Sequence, residues 1–348
     1  MKLLSRLLIA VLVVAFLAPS AHAWSRTPAT RFATLPPGAK HPEGITVDEH
    51  GNVYVTTFGA EGTSSGTGQM FVFNKEGRLI RQVNVAGSST LLLDLAFHPT
   101  SGDLLVLDFG ASKVLTVDPV SGASTVFSDI SGGPQPGLNV LTFDRAGNVY
   151  VSASFAGAVY KIGPQGGPAA IWVQSDLLKT TGVPAFGANG LAFNRAQTTL
   201  FVNNTGNDTV VKIPVNANGT AGTPAVFVNA INGADGLIID EHDNLWIAAN
   251  QADEIVVVDP SGRTIAKLGD FGGLDHEGAP IGLLFPASLV FSGRFVYVTN
   301  LAIDLRLFDV AGQQTNGTGD SPWTAEVKVH TISRIPAFIP PVPGLSKR

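Results

Sequence analysis

The 348-residue chain has no cysteine, little charge and, past its N-terminus, no apolar run long enough to span a bilayer. Without cysteine there are no disulfides, no thiolate metal sites and no thiol nucleophiles. Only 14% of residues are charged and the formal net charge is −5, which excludes a broad electropositive surface for nucleic acid. No twelve-residue stretch beyond the N-terminus keeps a helical period, so a helical bundle is excluded as well. The 39 glycines are too few for a collagen repeat and numerous enough for many turns. Hydrophobic residues make up 45% of the chain, ample for a large core and incompatible with a disordered polymer.

Residues 1–23 read as a secretory signal peptide. Lys2 and Arg6 precede the apolar run LLIAVLVVAFLA, and Ala21-His22-Ala23 forms a small-x-small cleavage site. The expectation is an exported protein, periplasmic or secreted, with no membrane association once the signal is removed. Stability in an oxidising compartment then rests on the core alone.

Six segments repeat one pattern, a short polar-to-apolar strand, a turn, and a second apolar strand. They begin with PEGITVDEHGNVYV at Pro42, LLDLAFHPTSGDLLV at Leu92 and GLNVLTFDRAGNVYV at Gly137. GANGLAFNRAQTTLFV at Gly187, GADGLIIDEHDNLWI at Gly233 and PASLVFSGRFVYV at Pro286 complete the set. Their polar positions Glu43, Asp94, Asn139, Asn189, Asp235 and Ser288 are separated by 51, 45, 50, 46 and 53 residues, the length of a propeller blade. Third and fourth strands follow in each repeat; for the last they read LRLFDVAG and AEVKVHT. The pattern predicts an all-β, six-bladed β-propeller of four-stranded antiparallel blades over residues 24–335, with a proline-rich tail over 336–348. Two closures of blade six stay open: TAEVKVHTI, or the early strand Thr30–Pro36.

In a propeller the first strand of each blade lines the central channel, so these six residues form a ring at one mouth. Three carboxylates crowded there among apolar neighbours repel one another and raise one another's pKa values. A bound divalent cation is the simplest counter-charge, and hard oxygen donors suit calcium or magnesium. The alternative is a ring that satisfies channel waters.

The order Glu in blade one, Asn in blade three, ANGLAF in blade four and ADGLIIDEHDNLWI in blade five resembles the senescence-marker-protein/gluconolactonase/luciferin-regenerating-enzyme family. The resemblance implies one divalent metal held by Glu43, Asn139, Asn189 and Asp235, calcium favoured, with zinc, magnesium or manganese sometimes accepted. It also implies hydrolysis of a small-molecule lactone or related ester, with the metal polarising the carbonyl and a carboxylate activating water. Asp235 is one candidate base, and Asp94 is the other, or else a fifth or water-mediated ligand. Ser288, His276, Phe186 and Phe285 are candidates for the substrate pocket. Sugar-lactone members carry an Arg-Pro-Asn triplet where this chain has Gly137-Leu138-Asn139, which weakens the case for a sugar substrate. Competing readings are a recognition propeller similar to NHL-repeat proteins, from the phrases VDEHGNVYV and DRAGNVYV, and a strictosidine-synthase-like propeller.

Overall fold

The computed structural model describes residues 27–59, 66–307, 309–310, 313–314 and 317–339. The segment read as a signal peptide, residues 1–23, and most of the tail lie outside these residues. Six four-stranded antiparallel sheets are arranged as the blades of a β-propeller. The innermost strands are Pro42–Val47, Leu92–Phe97, Leu138–Phe143, Ala188–Phe193, Ala234–Ile239 and Pro286–Ser292. In the first five blades the strands follow one another outward in chain order. Among the described residues no helix is long and apolar enough to cross a membrane.

Blade six departs from the sequence expectation. Its second strand, Phe295–Asn300, pairs with Thr331–Pro336, and the N-terminal strand Thr30–Thr34 adds outside that. Thr30 faces Arg334 and Thr34 faces Thr331. The first and last strands of the chain thus share a sheet, and the ring closes through the early strand. LRLFDVAG forms no blade strand, since Leu305–Leu307 is a short 3-10 turn, and AEVKVHT follows a single helical turn at Ser321–Thr324 as irregular chain, with only its final Thr331 entering the blade strand. Alternation alone misled here, because Leu305, like Leu301 and Ile303 before it, is buried over the channel mouth beside Phe58 and Phe285 instead of joining the blade's ladder. The true third strand extends through Pro336, one residue past the boundary drawn at 335.

The core is distributed between blades. Tyr54, Met70 and Val72 of blade one pack on Leu92, Leu95 and Leu115 of blade two. Phe32 and Ala33 of the closing strand pack with Val53, Phe71 and Tyr297 across the blade six to blade one seam. At the opposite channel face, blades one, three and five repeat one turn. Asp48, Asp144 and Asp240 each accept backbone N–H groups and the side chains of Asn52, Asn148 and Asn244. They also accept from Tyr54, Tyr150 and Trp246.

One feature of the inner strands positions the site. In every blade the ladder between first and second strands shifts register across the ring residue, from Pro42 to Ile45 in blade one and likewise in the rest. Such irregularities re-aim side chains. Backbone groups freed by the shift find side-chain partners. Gly44 N–H donates to Thr56 Oγ1 at 3.2 Å, and Val140 N–H donates to Ser152 Oγ at 3.0 Å. Thr299 Oγ1 accepts from Ser288 N–H at 3.0 Å and donates to Glu43 O at 2.7 Å, binding blade six to blade one. Glycine follows the ring residue in blades one, four and five because the next blade approaches too closely for a Cβ. A side chain at Gly44 would meet Leu93 O, at Gly190 Asp235 O, and at Gly236 Ala287 O.

Candidate functional site

Glu43, Asn139, Asn189 and Asp235 line a single narrow cavity of about 50 Å³ at one end of the channel. Each is 4% exposed, so none of the four is solvated from the side. The structure adds a fifth polar group that sequence reasoning missed. Asn250, which follows the second strand of blade five, lies in the same cavity, and its Nδ2 donates to Asp235 Oδ2 at 3.0 Å.

Each amide has its nitrogen engaged and its oxygen left over. Asn139 Nδ2 donates to Ser154 Oγ at 3.3 Å, and Ser154 donates in turn to Ala188 O at 2.7 Å. Asn189 Nδ2 donates to Thr205 Oγ1 at 2.9 Å, and Thr205 donates to Ala234 O at 2.8 Å. Because each hydroxyl gives its only proton to a carbonyl, it can only accept from the amide, which fixes the amide orientation. Asn139 Oδ1, Asn189 Oδ1, Asn250 Oδ1 and Glu43 Oε2 are consequently buried without a hydrogen-bond partner. Buried oxygens left so are costly and point to a missing cation or water.

The repeat register explains which residues partner the ring. The residue fifteen or sixteen positions downstream, at the end of the second strand, is Ser154, Thr205 or Asn250 in blades three to five, and Phe58 or Phe109 in blades one and two. Glu43 therefore has an aromatic neighbour where Asn139 and Asn189 have a hydroxyl acceptor and Asp235 an amide donor. Burial pushes the Glu43 carboxyl well above its ordinary value, and the carboxylates of Asp235 and Asp94 add to this. Burial likewise raises Asp235 to about 7, against hydrogen bonds from Asn250 and Asn189.

Asp94 and Ser288 are placed elsewhere. Both line a larger channel space of about 410 Å³ that also includes Thr46, Thr142 and Arg195. Asp94 Oδ2 accepts the backbone N–H of Leu141 at 2.9 Å. Burial raises its carboxyl to about 7, opposed by backbone N–H groups of Leu141 and Leu95. His276 occupies an exposed hairpin turn beside Asp275 and does not reach the cavity. Phe186 and Phe285 do line it, joined by Phe58, Leu301, Ile303 and Leu305. The last three come from the long connection between the second and third strands of blade six, and of them only Leu305 lies in LRLFDVAG.

The donor set fits a hard divalent cation. It offers two carboxylates and three carboxamide oxygens, no sulfur, and four oxygens with nothing else to bind. Among the described residues no three His, Cys, Asp or Glu side chains cluster as a metal site, so the fit depends on the amides.

A six-bladed propeller with an oxygen-lined channel mouth defines the class. Residues 95–269 match the SMP-30/Gluconolactonase/LRE-like region, and the chain belongs to that family. Solved structures with the same fold include the calcium-binding protein regucalcin from Agrobacterium tumefaciens, at TM-score 0.61 and 16% identity, covering 91% of this chain and 98% of that one. A gluconolactonase from Xanthomonas campestris superposes at TM-score 0.60 and 14% identity, covering 90% and 96%. A luciferin-regenerating enzyme does so at TM-score 0.60 and 18% identity, covering 88% and 95%. No curated protein matches the chain by sequence.

Proposed function

We propose that the protein is an exported, divalent-metal-dependent hydrolase of lactones or related esters. The observation that carries this reading is the set of four unpartnered buried oxygens around one cavity, together with the Asp235 carboxylate. Glu43, Asn139, Asn189 and Asp235 would hold the cation, calcium by the hardness of the donors, with Asn250 presenting a further oxygen. When bound, the cation supplies Lewis acidity toward a substrate carbonyl.

The remaining chemistry belongs to the chain. Asp235 is the proton acceptor of choice: it is buried in the cavity and Asn250 fixes one of its oxygens. As water oxygen bonds to the carbonyl carbon, its proton passes to Asp235, and Asp235 returns that proton to the ring oxygen as the ring C–O bond breaks, yielding a hydroxy acid. Asp94 does not share this role, because it faces the other channel space and holds a backbone N–H. The apolar wall keeps bulk water from the reacting carbonyl.

Metal analysis of dialysed protein, combined with a pH-stat assay on lactones and aryl esters, tests the reading. A stoichiometric divalent ion, chelator-sensitive hydrolysis and loss of turnover in Asp235→Asn support it. Protein that stays metal-free in millimolar calcium, or hydrolysis indifferent to chelator, overturns it.

A further inference from the structure

The floor of the cavity is polar and its wall is not. Phe58, Phe186, Phe285, Leu301, Ile303 and Leu305 stand around the oxygens. Backbone donors at four of these six positions are consumed within the protein. Phe58 N–H donates to His41 O at 2.9 Å, Phe186 N–H to Pro184 O at 2.7 Å, and Leu301 N–H to Phe285 O at 3.1 Å. Phe285 N–H donates to buried Asp253 Oδ1 at 2.7 Å, which pins Phe285 in a left-handed conformation with φ of 46°. The cation carried by the wall segment, Arg306, is engaged bidentately by Asp304 and donates to Ser321 O at 3.1 Å. On the floor, the amide nitrogens are already spent on Ser154, Thr205 and Asp235. Upstream of Asn139 stands fully buried Leu138.

We infer that the substrate is a compact lactone or ester with an apolar body, and that a polyhydroxylated sugar lactone is rejected; this rests on the hydrolase reading above. Each sugar hydroxyl would give up water and find no side-chain donor or acceptor on the wall, at about 1–3 kcal/mol apiece. The floor offers oxygens that need a cation rather than hydroxyls that need sorting. Free space of about 50 Å³ limits the group beside the carbonyl to a small one. An alkyl or aryl body meets apolar surface instead and gains from leaving water.

Steady-state kinetics on the calcium-loaded full chain would compare γ-caprolactone, δ-valerolactone and phenyl acetate with D-glucono-1,5-lactone. The expected result is a kcat/KM for the apolar substrates at least about 100-fold above that for gluconolactone. Ile303→Asn should lower kcat/KM for γ-caprolactone about 10-fold, mainly through KM, with calcium affinity unchanged, and Ile303→Val should restore most of it. Gluconolactone turned over as well as the apolar lactones overturns this inference and leaves the hydrolase reading standing. No hydrolysis of any of the four overturns the hydrolase reading and this one with it. Full activity in Ile303→Asn would show that the wall does not meet the substrate.

Discussion

Asn250 Nδ2 donates to Asp235 Oδ2 at 3.0 Å, and this bond turns the Asn250 oxygen, otherwise unpartnered, into the cavity. The backbone supports the arrangement: Asn250 N–H donates to Gly233 O at 2.9 Å, and a Cβ at Gly233 would collide with Asn250 Oδ1. Asn250→Leu should weaken calcium binding about 10–100-fold, as removal of an orienting partner does at metal sites. Isothermal titration of calcium reads this directly; unchanged affinity would remove Asn250 from the site.

Metal-free protein should lose stability as pH rises from about 6.5 to about 8.5. Asp235 and Asp94 are raised to about 7 and Asp253 to about 8, all chiefly by burial. Across that window the folded state binds more protons than the unfolded chain, whose carboxyls have already ionised, so each step up in pH favours unfolding. His330, held neutral by burial and by His41 and Lys40, acts in the opposite direction only below the ordinary histidine range. Urea denaturation at the two pH values, with chelator and with calcium, checks the sign. Calcium should flatten the slope, since a bound cation replaces the missing protons at Glu43 and Asp235.

Gly44→Ala should cost about 3 kcal/mol, the upper end for forcing extra volume into a packed seam. The new methyl would press on Leu93 O, and Asp94 Cα lies 2.8 Å from its position. Gly38→Ala serves as the comparison for strain without crowding, since nothing lies within 4 Å of a Cβ there while φ is 88°. Chemical denaturation of the two variants should place Gly44→Ala clearly lower.

Ring closure through the N-terminal strand makes Phe32 a structural residue. Its ring meets Tyr297 edge-on at 4.5 Å and sits in the core between blades six and one. Phe32→Ala should cost about 3–5 kcal/mol. Equal loss from Val126→Ala, on an exposed outer strand, would show that the seam carries no special weight.

Periodicity along the chain was enough to establish the blades, because alternation and turn chemistry act over neighbouring residues. Four of the six polar positions were legible for the same reason: Glu43, Asn139, Asn189 and Asp235 are each the second residue of an inner strand in a repeat of near-constant length. Blade six was misread at its outer half, since LRLFDVAG alternates as a strand does yet its Leu305 faces the channel, while Thr331–Pro336 pairs beyond a long connection. Which ring members share a cavity turns on a one-residue difference in phase that repeats of 45 to 53 residues hide. Asp94 and Ser288 stand one residue later in their strands than Asn139 does, so strand alternation turns them to the other channel space, and Leu93 takes the place beside Glu43 and Asn139. Asn250, Ser154 and Thr205 were missed because their roles depend on hydrogen bonds across or between blades. Local pattern determined the propeller and its candidate ring; the packing of one blade against the next decided which oxygens are left without partners. Burial and hydrogen-bond competition are properties of the folded whole, and no one-dimensional spacing contains them.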